Sequence, residues 1–352
     1  MLTPKERMLS IFHRKMPDRT PLAAYCMSII LPRGTAEREV REKGCGLVQF
    51  EKVYTTEIKN VEIGIRQIWE NGGEVTIYTH HTPVGSIYEK IKLSSGGYHS
   101  KWIKEFMIKK PSDYGVVKYI IENTVYHKNY DYFIEVQENL GEDGILIANM
   151  DRTPFQRTLI ELTGTERLCI DLYERPDIVE DLFDSLQRKQ DEIYRIAADS
   201  PAEIIHNFDN LTEDITEPKW FQKYCLPLYD KYGSMLHEKG KIYAVHMDGK
   251  LNHLKDLIKK AEIDVIESFT LPDAGGNLSI QEAKDAWKDK VIVANVPPFF
   301  CFKNESFIRK YIRELLAQVP KERFMLEVSE NLPQKFWKQT LSIVADAVRT
   351  YG

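Results

Sequence analysis

The chain has 352 residues, 43% of them hydrophobic and 29% charged, with a formal net charge of −5. That length supports one large domain or two ordinary ones, and the mild acidity gives no reason to expect nucleic acid or an anionic membrane as partner. No run approaches ~18 uninterrupted apolar residues, which removes a membrane span, and five scattered cysteines (26, 45, 169, 225 and 301), never in a CxxC spacing, suit a reduced, cytoplasmic protein.

The opening "MLTPKERMLSIFHRK" carries charges through its apolar positions and reads as an amphipathic helix, not a signal peptide. Short apolar runs then alternate with helical patterns. The runs that read as buried strands are "TPLAAYCM" (20–27), "LVQFEKVY" (47–54), "ILIANM" (145–150) and "EIIHNFDN" (203–210). They continue with "KIYAVHMDG" (241–249), "DVIESFT" (264–270), "VIVANVPP" (291–298) and "FMLEVSEN" (324–331). Amphipathic segments lie at 174–199, 217–240, 251–262, 279–288 and 304–319. Strand and helix alternating this often predict a parallel sheet covered by helices. Eight candidate strands, none followed by GxGxxG, fit a single (β/α)8 barrel over 1–352 better than an open dinucleotide-binding sheet. One stretch breaks the rhythm: residues 60–94 alternate apolar and polar around Asn-Gly-Gly at 71–73 and predict an inserted β-hairpin or meander.

In such a barrel the chemistry sits at the carboxyl ends of the strands, and those ends are polar here. The fifth candidate ends in His246 and Asp248, two apart and so on one face. The sixth carries Glu267, the eighth Glu327 and then Glu330, and the fourth ends in Asp209 and Asn210. Singly, each has a bland reading as a turn former or a hydrogen-bonded core residue. Together, several buried carboxylates with few Lys or Arg in these strands would cost several kcal/mol per ion, and a divalent cation removes that cost. One His with two carboxylates suits zinc, iron(II) or manganese. Met150 and Phe299-Phe300 either line an apolar pocket or pack the core. His80-His81 read as surface or substrate-facing, and Cys301 as an ordinary packed or loop thiol because nothing assigns it a base.

"TPKERMLSIFHRKMPDRTPL", "FDNLTEDITEPKWFQKYCLPLYDKY" and "HMDG…DVIESFTLPDAGGNLSIQEAKDAWKDKVIVANVPP" resemble segments of the uroporphyrinogen decarboxylase superfamily, in its order and spacing along essentially the whole chain. The resemblance implies a (β/α)8 barrel and one of two chemistries. The decarboxylases use no cofactor and hold a tetrapyrrole with an Arg-rich N-terminal loop. Here "YCMSIILPRGTAEREVREKG" lacks the Arg-Gln-Ala-Gly-Arg pattern, although Arg33, Arg38 and Arg41 are present. The other branch exchanges methyl groups between a substrate and a corrinoid protein at a zinc ion. Its coenzyme M enzymes use His-x-Cys on one strand and a distant Cys. This chain keeps the His at 246, has Asp248 in place of the first Cys, Glu327 near the second, and Glu267 on the next strand.

The resemblance therefore implies zinc held by His246, Glu267 and Glu327, with Asp248 as a further ligand or a holder of ligand or substrate. Carboxylates in place of thiolates make a harder site, suited to an oxygen-bearing substrate. The pattern is similar to the methyltransferase component of aryl methyl ether O-demethylases, with a corrinoid protein as partner and Glu330 or Asp209 protonating the departing oxygen. Asn210 orients a ring substituent in this reading. The oligomer is open between monomer and homodimer. The rival readings are a tetrapyrrole decarboxylase, a corrinoid methyltransferase acting on a thiol or a folate, and a barrel that binds a corrinoid protein or small ligand without catalysis.

Overall fold

The opening helix, Pro4–Phe12, starts where the sequence supplies its caps. The Thr3 hydroxyl accepts from Glu6 N, Glu6 reaches back to Thr3 N, and Pro4 occupies the first turn. Met8, Ile11 and Phe12 form its buried stripe, and the buried Arg7 is held by Asp18 at 2.6 Å. This computed structural model describes residues 2–26, 34–70, 73–93, 101–333 and 335–352.

The first strands are β1 (Leu22–Tyr25), β2 (Cys45–Glu51), β3 (Tyr54–Ile58), β4 (Glu62–Glu70) and β5 (Gly73–Thr82). They are followed by β6 (Gly85–Leu93), β7 (Lys101–Glu105), β8 (Thr124–Lys128), β9 (Gly144–Met150) and β10 (Ile204–Asn207). The last are β11 (Ile242–His246), β12 (Val265–Phe269), β13 (Val291–Asn295) and β14 (Phe324–Val328). Strands β1, β14, β13, β12, β11, β10, β9 and β2 close into one parallel barrel in that order. These correspond to the eight apolar runs of the sequence, with β2 and β9 beginning slightly earlier, at Cys45 and Gly144, and the others trimmed at their polar ends. The (β/α)8 architecture is thus the observed one, with helices such as Leu226–His237 and Glu305–Leu316 between the strands.

The chain divides into two compact units. The first comprises residues 1–53, 130–150 and 198–352 and holds the whole barrel. The second comprises residues 54–129 and 151–197. The run 47–54 is not one strand: β2 ends at Glu51, and Tyr54 opens β3, which pairs antiparallel with β8 in the second unit. The segment 60–94 is more than a hairpin. Its three strands gain β7 as a fourth in an antiparallel sheet ordered β4-β5-β6-β7. Met27, Arg33 and the turn residues Asn71 and Gly72 lie outside the described residues. In that sheet His80 is buried, contrary to the surface reading, while His81 is exposed and bonded to Ser86 at 2.9 Å. Trp69 and Trp102 are exposed, whereas Trp287 and Trp337 are packed into the barrel unit.

Register fixes which residues face the barrel axis, because paired residues of parallel strands share a face and neighbours alternate. Ala23, Val48, Ile145, Ala244, Val265, Val293 and Met325 form an apolar plug by this rule. Further toward the carboxyl ends, the same faces carry Tyr25, Phe50, Asn149, His206, His246, Glu267, Asn295 and Glu327. The polar row rests on an apolar floor.

Candidate metal centre

His206, His246 and Glu267 are buried, and each offers a ligand atom within 4.8 Å of the other two. Glu267 is the hub. Its Oε2 lies 2.5 Å from His246 Nδ1 and 3.0 Å from His206 Nε2, and its Oε1 accepts from the Tyr25 hydroxyl at 2.6 Å. The far nitrogen of His246 is 3.4 Å from Asp248 Oδ2, and His206 Nδ1 is 3.3 Å from Asn149 Oδ1. Phe208 stacks flat on His246, with ring centroids 4.5 Å apart, and Phe50 lies 5.1 Å from the His206 ring.

Local backbone geometry aims these groups. Ser268, directly after Glu267, sits at φ 59, and the β12–β13 register shifts between Ile266 and Phe269. A left-handed non-glycine residue beside a buried polar cluster is a place where strain is held by its surroundings, here including Ser329, whose Oγ is 2.7 Å from that of Ser268. The glycine after Asp248 has a similar reason. A Cβ on Gly249 would meet Leu211 O at 2.6 Å and Thr212 Cβ at 2.3 Å, so only glycine lets the loops after β10 and β11 touch. That contact brings Asn210 Nδ2 within 3.0 Å of Asp248 Oδ2. Gly249→Ala is expected to lower stability by about 1–3 kcal/mol, read from a urea melt, because both obstacles include backbone or backbone-anchored atoms.

The electrostatics are those of a buried charge cluster. Burial pushes the His246 imidazolium toward losing its proton, but Glu267 and Asp248 outweigh it and raise the pKa to about 10. Burial likewise pushes Glu267 upward, and the two histidines overcome it and hold the carboxyl well below its usual range. Glu327 goes the other way: burial and the charge of Glu267 push its carboxyl well above the usual range. Its Oε2 is buried with no hydrogen-bond partner. Glu330 is raised by burial and by Asp248.

Local placement sorts the other candidates. Asn210 lies beyond the end of β10, at φ 51, and holds Asp248. Asp209, also beyond β10, is buried and accepts from Tyr229 of helix Leu226–His237 at 2.7 Å. Met150 pairs with Asn207 and so faces away from the axis, buried. Phe299 packs its ring on Phe300, Phe307 and Tyr311. His206 and Tyr25 are absent from the set read in the sequence. His206 was hidden by its apolar neighbours, although it lies in the same strand run as Asp209 and Asn210. The spacing to Phe208 and Asn210 was the available signal.

Two imidazoles and a carboxylate, with a second carboxyl holding an unsatisfied oxygen, fit a divalent cation: the donors are of types that zinc accepts, and the ion would supply the missing partner of Glu327 Oε2. A barrel with such a group at the carboxyl ends of its strands has the layout of TIM-barrel active sites. The chain belongs to the uroporphyrinogen decarboxylase (URO-D) family, whose model matches residues 153–351. Among solved structures, a methyltransferase from Methanosarcina mazei shares the fold at 11% identity and a TM-score of 0.59, over 100% of this chain and 99% of that one. A B12-independent methionine synthase from Shewanella sp. W3-18-1 aligns over 90% of this chain and 86% of its own, at 11% identity and a TM-score of 0.42. No individual curated protein matches by sequence.

Proposed function

We propose that the protein is a zinc-dependent methyltransferase that moves a methyl group from an aryl methyl ether to the Co(I) corrinoid of a partner protein, releasing the phenol. The observation that carries this reading is the donor set: His206, His246, Glu267 and the open oxygen of Glu327, all buried and without a thiolate among them. Such hard ligands suit an oxygen leaving group better than a sulfur one. A zinc ion held by these residues would supply Lewis acidity to the ether oxygen; a fraction of the effect zinc has on water, ~3 pH units at ~1.4 kcal/mol each, is worth roughly 4 kcal/mol. The family and the fold shared with an archaeal methyltransferase support the reading.

The protein's own groups have distinct tasks. Phe50 and Phe208 flank the histidines and supply an apolar wall for a ring. Asp248, tied to Asn210, keeps the His246 ring oriented. Glu330, whose carboxyl is pushed above its ordinary range by burial and by the charge of Asp248, is the acid assigned to pass a proton to the departing oxygen. Asp209 already serves Tyr229, which leaves Glu330 the better placed of the two acids. Of the arginines a tetrapyrrole would need, Arg41 is paired with Glu37 and Asp143.

The test is reconstitution: metal-loaded protein, a reduced corrinoid protein and a panel of methoxybenzenes, followed by methyl-cobalt absorbance. Methyl-cobalt should form with at least one aryl methyl ether. Glu330→Gln should lower kcat by about 100-fold or more with zinc content unchanged. Decarboxylation of a tetrapyrrole by metal-free protein, or methyl transfer only with thiols, contradicts the proposal.

A further inference from the structure

Tyr25 has a place in this cluster that neither a packing role nor a ligand role explains. It ends β1, is buried, and reaches across the barrel to donate its hydroxyl to Glu267 Oε1 at 2.6 Å. The same oxygen lies 3.5 Å from His246 Nδ1. Its ring is fixed edge-on against Phe50 at 4.8 Å, and Cys26 N ties the strand end to Val48 O at 2.8 Å. Both imidazoles meet the opposite carboxylate oxygen, Oε2. One oxygen is therefore claimed by a phenol, and the other is turned to the donor nitrogens.

We propose that Tyr25 is a positioning residue for the metal centre: its hydroxyl occupies Glu267 Oε1, so the carboxylate meets an ion through Oε2 alone and a coordination position stays open for the substrate oxygen. The physical reason is competition for lone pairs. A free carboxylate can swing to bind a cation through both oxygens, filling the position that catalysis requires. A hydrogen bond of 2.6 Å to one oxygen, from a ring locked by packing, opposes that swing. It also fixes the χ angles of Glu267 before any ion arrives. The inference rests on the metal reading above and concerns one residue within it.

The experiment uses the full-length, chelator-stripped protein and needs no turnover. Zinc affinity is measured by competition with a chromophoric chelator, and Co(II) is added as a spectroscopic probe. Tyr25→Phe is expected to bind zinc about 10–100-fold more weakly. Its Co(II) visible band should also weaken, as a second carboxylate oxygen enters and the coordination number rises. In a Glu267→Asp background, where the shorter side chain no longer reaches the phenol, Tyr25→Phe should add less than about twofold. Unchanged affinity and spectrum in Tyr25→Phe, a loss of affinity with an unchanged band, or full additivity with Glu267→Asp each overturns the proposal. Should the phenylalanine protein fail to fold, 3-fluorotyrosine at position 25 keeps the ring and strengthens the donor; a band that does not move then overturns it. Failure of the wild-type protein to take up zinc would instead sink the metal reading itself.

Discussion

Glutamine at position 267 is expected to empty the centre of metal and to cut methyl transfer by about a thousandfold or more. Glu267 Oε2 is shared by both histidines, at 3.0 and 2.5 Å, so an amide there removes the charge that holds them and leaves a single oxygen to serve as acceptor or ligand. On the proposed reading, loss of the ion would forfeit the stabilisation of the leaving oxygen, and roughly 4 kcal/mol is three orders of magnitude in rate. The comparison that makes the result specific is Asp209→Asn. That carboxylate is buried in the same unit but bonded to Tyr229, so its loss should weaken the fold while zinc content stays at the wild-type level. Metal analysis and the methyl-cobalt assay on the two variants distinguish a ligand from a packing partner.

The second large effect is in the pH dependence of stability of the metal-free protein. The folded chain holds the His246 proton to about 10 against an ordinary 6.5, because Glu267 and Asp248 outweigh burial. Below about 6.5 the imidazole is protonated folded or unfolded, and the ion pair contributes fully. As pH rises from there toward 10, the unfolded chain releases the proton and the folded chain retains it, so stability falls, by an amount of order 5 kcal/mol. Glu327, raised by burial and by Glu267, acts in the same direction at lower pH. Glu267 itself is depressed, so its contribution is present above the carboxylate range and is lost in acid. Urea midpoints of stripped protein should therefore decline between pH 6.5 and 10, and Glu267→Gln should flatten that decline. Zinc reverses the sign. Binding must displace the His246 proton, so the ion's affinity rises with pH over the same interval.

The barrel was legible because its strands are short apolar runs separated by helical periods, and all eight runs appear in the closed sheet in chain order. Of the three residues whose donor atoms meet, His246 and Glu267 were legible for a related reason: a charged residue inside an apolar strand has few ways to be satisfied. His246 and Glu267 are adjacent in register, and the charge of Glu267 helps push the Glu327 carboxyl above its usual range. Asp248 lies beyond the end of β11 and still reaches His246, which strand spacing alone does not guarantee.

What stayed hidden depends on register between distant segments. His206 joins the cluster because it pairs with Ala244, two residues before His246, and Tyr25 because it is two residues after Ala23, the partner of Glu327. Neither relation is a spacing within one motif. Parity turns Met150 away from the axis, and the loop after β10 sends Asn210 to Asp248 but Asp209 to Tyr229, distinctions that nearness to a strand end does not reveal. The extent of the inserted sheet was missed for a simpler reason: its fourth strand, Lys101–Glu105, is five residues long and carries three charges.

The most direct test of the account is elemental analysis of the purified wild-type protein. Nearly one zinc per chain is the expected result, since two imidazoles and two carboxyls buried together are otherwise held against their solvation. A preparation with no bound divalent ion, and none taken up when zinc is supplied at neutral pH, would contradict it.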